Sequence, residues 1–435
     1  MHAATLHAAE TYPDDVSDPE SLGPSIEGRT IEVGDTFEVE TGAVAHGGHV
    51  VARVGDLVVF VRHALPNEVV VIRVTDVRSR FLRADAVEVR RAHQGRRDPL
   101  CAVAGVCGGC DFQHATEELQ RELKIDVFRE ALIRHGRMSA LRTDELLADG
   151  VVDLGSDIGW RTRMHYRVGL DDEGHTAVGM YAHRSDDWVD ASSCVIAHPA
   201  GHHLANNLAR DCTPGDEFFM AVGVDGPLVE RAGSRGMDVR HRITIEAEER
   251  EFRTPIDGFW QVHPRLAQEL VDRLIDRGAP AAGETWWDLY AGTGPLAGAL
   301  GARVGAQGAV EAVEASPGAV ERGKSALADM PWVRWHRSDV QRWLTRQRAG
   351  QRSHPHGVVM DPPRSGAGRA VLAAVCSFGP RVIVYVACDP VALGRDTAIA
   401  RELGYDLVDV RVWDAFPQTH HMEAMSIFQP TDRIS

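Results

Sequence analysis

A cysteine and a glutamate near the C-terminus are suited to covalent catalysis, as a nucleophile and a general base. Cys388 lies in Val384-Tyr-Val-Ala-Cys-Asp-Pro390, and Glu423 closes Phe416-Pro-Gln-Thr-His-His-Met-Glu423. A thiolate can add to an electron-poor carbon of a substrate, and a carboxylate can remove the proton that such a reaction must release. A cysteine between apolar residues is more often a small buried hydrophobe, and a lone glutamate is usually solvated. The strand end at Cys388 and the histidines beside Glu423 favour a nucleophile and a base.

A glycine-rich turn predicts a nucleoside site. Asp288-Leu-Tyr-Ala-Gly-Thr-Gly294 ends an apolar run, and Glu314 follows 22 residues after Gly292, where its carboxylate can accept both hydroxyls of a ribose. Pro295 removes an amide donor where a pyrophosphate would need one, and no phosphate-binding lysine follows. The turn therefore favours S-adenosylmethionine over NAD.

A second carboxylate is predicted at the rim of the same site. Asp361-Pro-Pro-Arg-Ser-Gly366 follows the apolar residues Val358-Val-Met, and its prolines fix the backbone where the strand ends. The alternative is a rigid turn with a solvated aspartate.

These residues follow strands of a predicted doubly wound α/β domain over residues 256–435. Apolar strands alternate with helical segments, which is typical of a mostly parallel sheet. The strands are expected at residues 285–290, 309–315, 357–361, 382–387 and 407–412. Ligands bind at the carboxyl ends of such strands, where the turn, Asp361 and Cys388 all fall.

The preceding residues divide into three predicted regions. Residues 1–28 are rich in Asp, Glu, Ser and Pro and predict a disordered tail. Residues 29–92 contain short β runs separated by glycine turns, which predicts a small barrel. Residues 93–255 form a central α+β domain with a helix from Thr116 to about His135.

Three closely spaced cysteines in the central domain predict a thiolate site. Cys101, Cys107 and Cys110 form the pattern Cys-x5-Cys-Gly-Gly-Cys, which with a remote fourth cysteine suits a tetrahedral centre. Gly108-Gly109 would leave backbone amides free to point at cluster sulfides. From the residues alone, zinc and an iron–sulfur cluster are equally compatible, and three unrelated buried thiols are the alternative.

Composition limits the remaining possibilities. No apolar run is long enough to span a bilayer and the first residues are not a secretory signal, so we expect a cytoplasmic protein. We also expect a monomer. The net charge of -16 does not favour nucleic acid, although basic residues cluster locally. They are Arg78, Arg80, Arg83, Arg90, Arg91, Arg96, Arg97, Arg161 and Arg163.

Taken together, the motifs resemble the uracil-C5 RNA methyltransferases that modify tRNA and 23S rRNA. The matching features, in order, are Phe259-Trp-Gln261, the Asp288 turn, Glu314, Asp361-Pro-Pro-Arg, Cys388-Asp-Pro and Glu423. Residues 30–92 resemble the family's TRAM domain, an OB-like RNA-binding barrel. Residues 99–113 resemble its iron–sulfur motif, with Cys194 as the fourth ligand.

The resemblance implies a role for each site residue. Cys388 would be the nucleophile and Glu423 the proton acceptor. The residues that would bind S-adenosylmethionine are Gln261, Tyr290, Glu314, Asp339 and Asp361. Cys101, Cys107, Cys110 and Cys194 would hold a [4Fe–4S] cluster, and the partner would be RNA, with 23S rRNA favoured over tRNA.

Three residues depart from the family's pattern. Pro295 replaces a common Asn that contacts the cofactor, Asp389 replaces a common Asn after the nucleophile, and Ala291 replaces a common Cys. An Asp at position 389 would tend to raise the pKa of the thiol. The competing hypotheses are a methyltransferase for another RNA base, and an RNA-binding protein or chaperone with a decayed enzyme domain.

Overall fold

The computed structural model describes residues 25–26, 29–234, 236–350 and 354–431. The predicted disordered tail lies almost entirely outside these residues. The chain begins with a short hairpin and a six-stranded sheet in the order β3-β7-β8-β6-β5-β4. Because β3 at one edge also contacts β5 near the other, the sheet closes on itself as predicted. The strands are β1 (Ser25–Ile26), β2 (Arg29–Thr30), β3 (Thr36–Glu40), β4 (Val44–Ala45), β5 (His49–Val54), β6 (Leu57–Arg62), β7 (Val69–Val77) and β8 (Phe81–Arg91).

The central region contains a helical pair, a five-stranded antiparallel sheet and a hairpin. The sheet has the order β12-β11-β10-β13-β14, and β15 pairs with β16. The elements are α1 (Glu117–Arg134), α2 (Ala140–Leu146), β9 (Val151–Asp153), β10 (Arg163–Leu170), β11 (Thr176–Tyr181), β12 (Trp188–Asp190), α3 (Pro199–Ala209), β13 (Glu217–Gly223), β14 (Gly226–Arg231), β15 (Asp238–Ile245) and β16 (Glu248–Pro255). Thr116 caps α1 by accepting from the N–H of Leu119, as the sequence predicts.

The C-terminal region forms an eight-stranded sheet in the order β19-β18-β17-β20-β21-β23-β22-β9. Strands β17 to β21 are parallel, and β23 is antiparallel between β21 and β22. The elements are α4 (Leu266–Arg273), a π-helical turn (Leu274–Gly278), β17 (Thr285–Leu289), α5 (Pro295–Val304), β18 (Ala309–Glu314), α6 (Pro317–Ala326), β19 (Val333–Arg337), α7 (Val340–Gly350), β20 (Gly357–Met360), α8 (Gly368–Cys376), β21 (Val382–Ala387), α9 (Pro390–Glu402), β22 (Tyr405–Asp414) and β23 (Glu423–Pro430).

The central region is attached to the C-terminal sheet at two places. Strand β9 pairs with β22 at the sheet edge, and α1 packs on α9. Lys124 of α1 is fully buried and donates to Asp414 over 2.5 Å. One core cluster runs from the barrel through α1 into the sheet. The predicted boundaries at residues 92 and 255 stay predictions, and these contacts join the regions on either side of them.

The predicted fold class is confirmed, with local differences. All five predicted strands of the α/β domain form, with ends shifted by up to two residues. Strand β19, with the sequence Val-Arg-Trp-His-Arg, has no counterpart in the prediction; it lies at the edge of the described sheet and pairs with β18. Among the described residues, no helix is both long and apolar enough to cross a membrane.

Candidate active site

The glycine-rich turn connects β17 to α5 through backbone conformations that favour glycine. Gly292 and Gly294 have φ of 55° and 90°, and Tyr290 has φ of 68°. The N–H of Gly292 donates to Glu314 Oε2 over 3.0 Å, and the N–H of Ser316 donates to Oε1 over 2.7 Å. Glu314, the last residue of β18, is therefore held in place at the mouth of the turn, where a ribose can still reach its remaining lone pairs.

Pro295 has a structural role in this turn. It occupies the first turn of α5, directly after Gly294. A proline is well tolerated there because the missing N–H has no partner within the helix and the fixed φ suits the helix start. The start of α5 therefore explains Pro295 without the hypothesis of a decayed enzyme domain.

Carboxyl groups gather behind the turn. Asp288 is 1% exposed, and burial, reinforced by the nearby Asp361, raises its pKa to about 8. Burial also raises the pKa of Asp361, directly after β20, to about 7. Such a group of carboxyls suits a cationic ligand, because a positive charge would favour their ionised forms. The sequence marked Asp288 only as part of the turn.

Cys388 directly follows β21, and Glu423 is the first residue of the neighbouring strand β23. Strand β21 pairs antiparallel with β23, and Ala387 is opposite Ala424, so the next residues along, Cys388 and Glu423, meet at the sheet edge. Cys388 is half-buried, whereas Glu423 is only 3% exposed. Both line a single large cavity with the glycine turn. The predicted nucleophile and base are thus brought to the predicted cofactor turn.

The electrostatics of this pair are set by burial and by Arg364. Burial, and then the charge of Glu423, raises the pKa of the Cys388 thiol to about 12, and Arg364 lowers it. Burial also raises the pKa of Glu423 well above its usual range, with Asp361 acting in the same direction and Arg364 against it. Arg364 therefore favours the ionised form of both groups. Sequence reasoning used Arg364 only to mark the motif.

Two histidine contacts near the catalytic residues were not predicted from the sequence. His46 of the barrel lies 3.0 Å from Asp389 Oδ2, and Asp111 lies 2.6 Å from His420 Nδ1. Each joins residues more than three hundred positions apart, so no local pattern could have indicated it.

The cavity holds most of the predicted site residues. Its volume is about 2360 Å³, and its lining includes Gln261, Tyr290, Glu314, Asp361, Cys388 and Glu423. Asp339 is not among the lining residues; it is exposed and its Oδ1 accepts from the N–H of Arg342, in the first turn of α7. Its charge still contributes, after burial, to raising the pKa of Tyr290 to about 12.

Similarity to known proteins follows the same division of the chain. The family described as tRNA (Uracil-5-)-methyltransferase matches residues 237–429, and the TRAM domain matches residues 31–87. An uncharacterized RNA methyltransferase of Streptomyces avermitilis is 37% identical, over 92% of this chain and 99% of its own. The chain belongs to the RNA (uracil-5) methyltransferase family.

More distant members agree in length and fold. A Shewanella piezotolerans 23S rRNA (uracil(1939)-C(5))-methyltransferase is 27% identical to this methyltransferase, over 92% of its chain and 97% of the relative. The structure of a Pyrococcus abyssi tRNA (uracil-54, C5)-methyltransferase with S-adenosyl-L-homocysteine has a TM-score of 0.63 at 16% identity, covering 90% of this chain and 100% of that one. That likeness shows that the two proteins share a fold.

The predicted basic cluster divides into two groups in the methyltransferase. Arg78, Arg80 and Arg83, around the β7–β8 turn, line the cavity, as do Arg161 and Arg163. The others form ion pairs elsewhere: Arg90 with Glu88, Arg91 with Glu40, Arg96 with the buried Glu68, and Arg97 with Glu117.

Arg163 is primarily structural. It is 9% exposed, and its guanidinium donates to the carbonyls of Pro255, Ile256 and Gly258. These bonds fix the chain just before Gln261. Arg167, Arg184 and Arg364 also line the cavity and were not part of the predicted cluster.

The four predicted ligand cysteines of the methyltransferase come together. Cys101, Cys107, Cys110 and Cys194 all line one small cavity, although Cys194 is far away in sequence. The N–H of Gly109 points at Cys107 Sγ over 3.4 Å, whereas the N–H of Gly108 donates to the carbonyl of Tyr181. Only one of the two predicted amides is therefore free for a sulfur. Among the described residues, no three His, Cys, Asp or Glu side chains are grouped closely enough for one metal ion.

Proposed function

We propose that this methyltransferase transfers the methyl group of S-adenosylmethionine to carbon 5 of a uridine in RNA, through a covalent bond between Cys388 and carbon 6. The observation that carries the proposal is the antiparallel pairing of β21 with β23. It sets the thiol beside the carboxyl of Glu423, in the cavity that the glycine turn also lines. A pyrimidine between thiol and carboxyl would meet both groups that the reaction needs.

The protein's own groups divide the reaction into two stages. The Cys388 thiolate adds to carbon 6, and the electrons of the 5,6 double bond move toward carbon 5 and the O4 carbonyl. S-adenosylmethionine supplies the methyl group that carbon 5 then takes, and the electrons of the broken sulfur–methyl bond remain on sulfur, giving S-adenosylhomocysteine. Glu423, as a carboxylate, removes the proton from carbon 5; the double bond reforms and the sulfur leaves carbon 6.

The protonation of Cys388 and Glu423 in the resting site supports a role for Arg364 in ionising both groups. The thiol and Glu423 both favour their protonated forms because they are buried near other acidic groups. Arg364 is the group that lowers the pKa of both. We therefore expect Arg364 to favour formation of the thiolate and of the general base.

Gln261, Tyr290, Glu314 and Asp361 are proposed to bind S-adenosylmethionine. Their common place along the cavity supports this role, and the two N–H donors on Glu314 keep its carboxylate oriented toward the turn. Asp339 stays a prediction that the cavity does not support directly.

We propose RNA as the partner, with 23S rRNA favoured over tRNA. Arginines of the β7–β8 turn and of the central sheet line the same cavity as the cofactor turn. A cavity of about 2360 Å³ has room for a flipped nucleotide beside a cofactor. The preference for 23S rRNA is supported by the full-length Shewanella relative. Mapping 5-methyluridine in the 23S rRNA and tRNA of a deletion strain, with and without a plasmid copy, would show which RNA loses the modification.

The covalent step is tested with Cys388→Ala. We expect the variant to lose methyl transfer to uridine RNA and to lose the stable adduct with 5-fluorouridine RNA. Cys376→Ala is the matched control, since Cys376 lies in α8 and does not line the cavity. A Cys388→Ala protein that still methylates would overturn the covalent mechanism. Failure of the wild-type protein to bind S-adenosylmethionine in calorimetry would instead support a decayed enzyme domain.

We also propose that Cys101, Cys107, Cys110 and Cys194 hold a [4Fe–4S] cluster, with zinc as the alternative. Four cysteines around one cavity are a suitable donor set for either. Iron, sulfide and zinc analysis of protein purified without oxygen, compared with Cys194→Ser, would decide between them.

A further inference from the structure

Asp389, the residue after the proposed nucleophile, uses its two carboxylate oxygens differently. Oδ1 accepts from the N–H of Ala392 over 2.6 Å and so caps α9. Oδ2 lies 3.0 Å from Nε2 of His46, and the two side chains are 23% and 25% exposed. Since an ionised carboxylate can only accept, Nε2 of His46 is the donor.

His46 reaches the catalytic domain from the barrel. It lies in the turn between β4 and β5, followed by Gly47 and Gly48 with φ of 85° and 75°. A Cβ added at Gly48 would lie 3.1 Å from the Cβ atoms of both Asp111 and His420. The β4–β5 turn therefore packs closely against the loop that leads to Glu423. This packing holds His46 in position beside Asp389.

We propose that His46 is a positioning residue for the methyl transfer: by donating to Asp389, it draws the negative charge of that carboxylate away from the Cys388 sulfur. The inference deepens the proposed function, since it matters only where Cys388 must become a thiolate. The barrel, which we propose also contacts RNA, thereby takes a direct part in the chemistry.

The charges around the sulfur show why this contact matters. Glu423, Asp361 and Asp389 all oppose ionisation of Cys388, and Arg364 favours it. Glu423 and Asp361 are required by the proposed reaction, so their charges cannot be removed. Asp389 has no such role. A donor to Oδ2 weakens the effect of the Asp389 charge on the thiol, while Oδ1 continues to cap α9.

The proposal is tested by the alkylation of Cys388 without RNA or cofactor. The rate of reaction with iodoacetamide is measured between pH 6 and pH 10 by mass spectrometry of the peptide that contains Cys388. The variants are His46→Ala, His46→Gln, which keeps a donor, Asp389→Asn, which keeps the cap, and the double variant His46→Ala/Asp389→Asn.

We expect His46→Ala to slow alkylation at pH 8 by roughly three- to tenfold and to move the pH profile upward, because the thiolate fraction falls tenfold for each unit of pKa. His46→Gln should recover most of the rate. In the Asp389→Asn background, His46→Ala should change the rate by less than about twofold, since the charge is already absent.

Equal slowing by His46→Ala in both backgrounds, or no slowing in either, would overturn the proposal. Thermal melting of each variant separates loss of fold from loss of thiol reactivity. Alkylation requires no methyl transfer, so the result is independent of the covalent mechanism. The expected alkylation pattern together with an active Cys388→Ala enzyme would refute the proposed function and leave the charge coupling intact.

Discussion

Asp288 is an unusual carboxyl group whose replacement should stabilise the protein in a pH-dependent way. It lies at the end of β17, is 1% exposed, and neither Oδ atom has a hydrogen bond of normal geometry among the described residues. The N–H of Ala297 favours the charged form, but burial and Asp361 outweigh it and raise the pKa from 3.8 to about 8. The folded protein therefore keeps a proton that the unfolded chain releases.

The sign follows from proton linkage. Where the folded state binds more protons than the unfolded state, stability falls as pH rises, here between about 3.8 and about 8. About four pKa units correspond to a formal limit of about 6 kcal/mol. Water entry and rearrangement around the ionised group would lower this, so we expect Asp288→Asn to stabilise the cofactor-free protein by about 2 to 3 kcal/mol at pH 9. At pH 6 about half of the interval between the two pKa values has been crossed, so the gain should be about half of that at pH 9, and it should approach zero only near pH 4.

Thermal melting at pH 6 and pH 9 measures the effect. One kcal/mol moves the midpoint of a domain of 150 to 250 residues by about 2 to 4 °C, which predicts a gain of about 4 to 12 °C at pH 9. Asp172→Asn is the control, because Asp172 is exposed and a change of charge there should have little effect. Equal gains at the two pH values, or a loss at pH 9, would refute the reasoning.

Two further predictions concern the active site. Glu423→Gln should lower turnover by about 10²- to 10⁴-fold, because the carbon 5 proton then has no acceptor. The covalent adduct with ordinary uridine RNA should accumulate and be visible on denaturing gels. Normal turnover would show that another group is the base. Gly48→Ala should cost about 1 to 3 kcal/mol and slow methylation, since its φ is 75° and the new Cβ would lie 3.1 Å from two neighbouring Cβ atoms. Gly34→Ala is the control for backbone strain alone, because Gly34 has φ of 99° and open space around it. Equal effects of the two substitutions would exclude a role for the contact of the β4–β5 turn with Asp111 and His420.

The strand ends of the site could be predicted because local sequence determines them. Strands β20 and β21 are buried along their whole length, so their sequences are continuous apolar runs, and the chemistry begins where each run stops. Asp361 and Cys388 stand at those stops. The two glycines after β17 indicated the turn for the same reason: only particular residues suit its backbone.

What could not be predicted depends on contacts between distant segments. Strand β9 is three residues long and gains its place only by pairing with β22. Arg163 stands in a basic stretch, yet its guanidinium is buried against backbone carbonyls, which charge patterns do not reveal. The contact of His46 with Asp389 belongs to the same class.

The departures from the family's pattern are better understood from these contacts than one residue at a time. An Asp at position 389 would be unfavourable beside a thiolate if it stood alone, but here one oxygen caps a helix and the other faces a histidine. Because that histidine comes from the barrel, the residue after the nucleophile and the β4–β5 turn form one unit. A chain with Asn at 389 would have no charge to offset, so we expect the need for a donor at position 46 to follow the identity of residue 389.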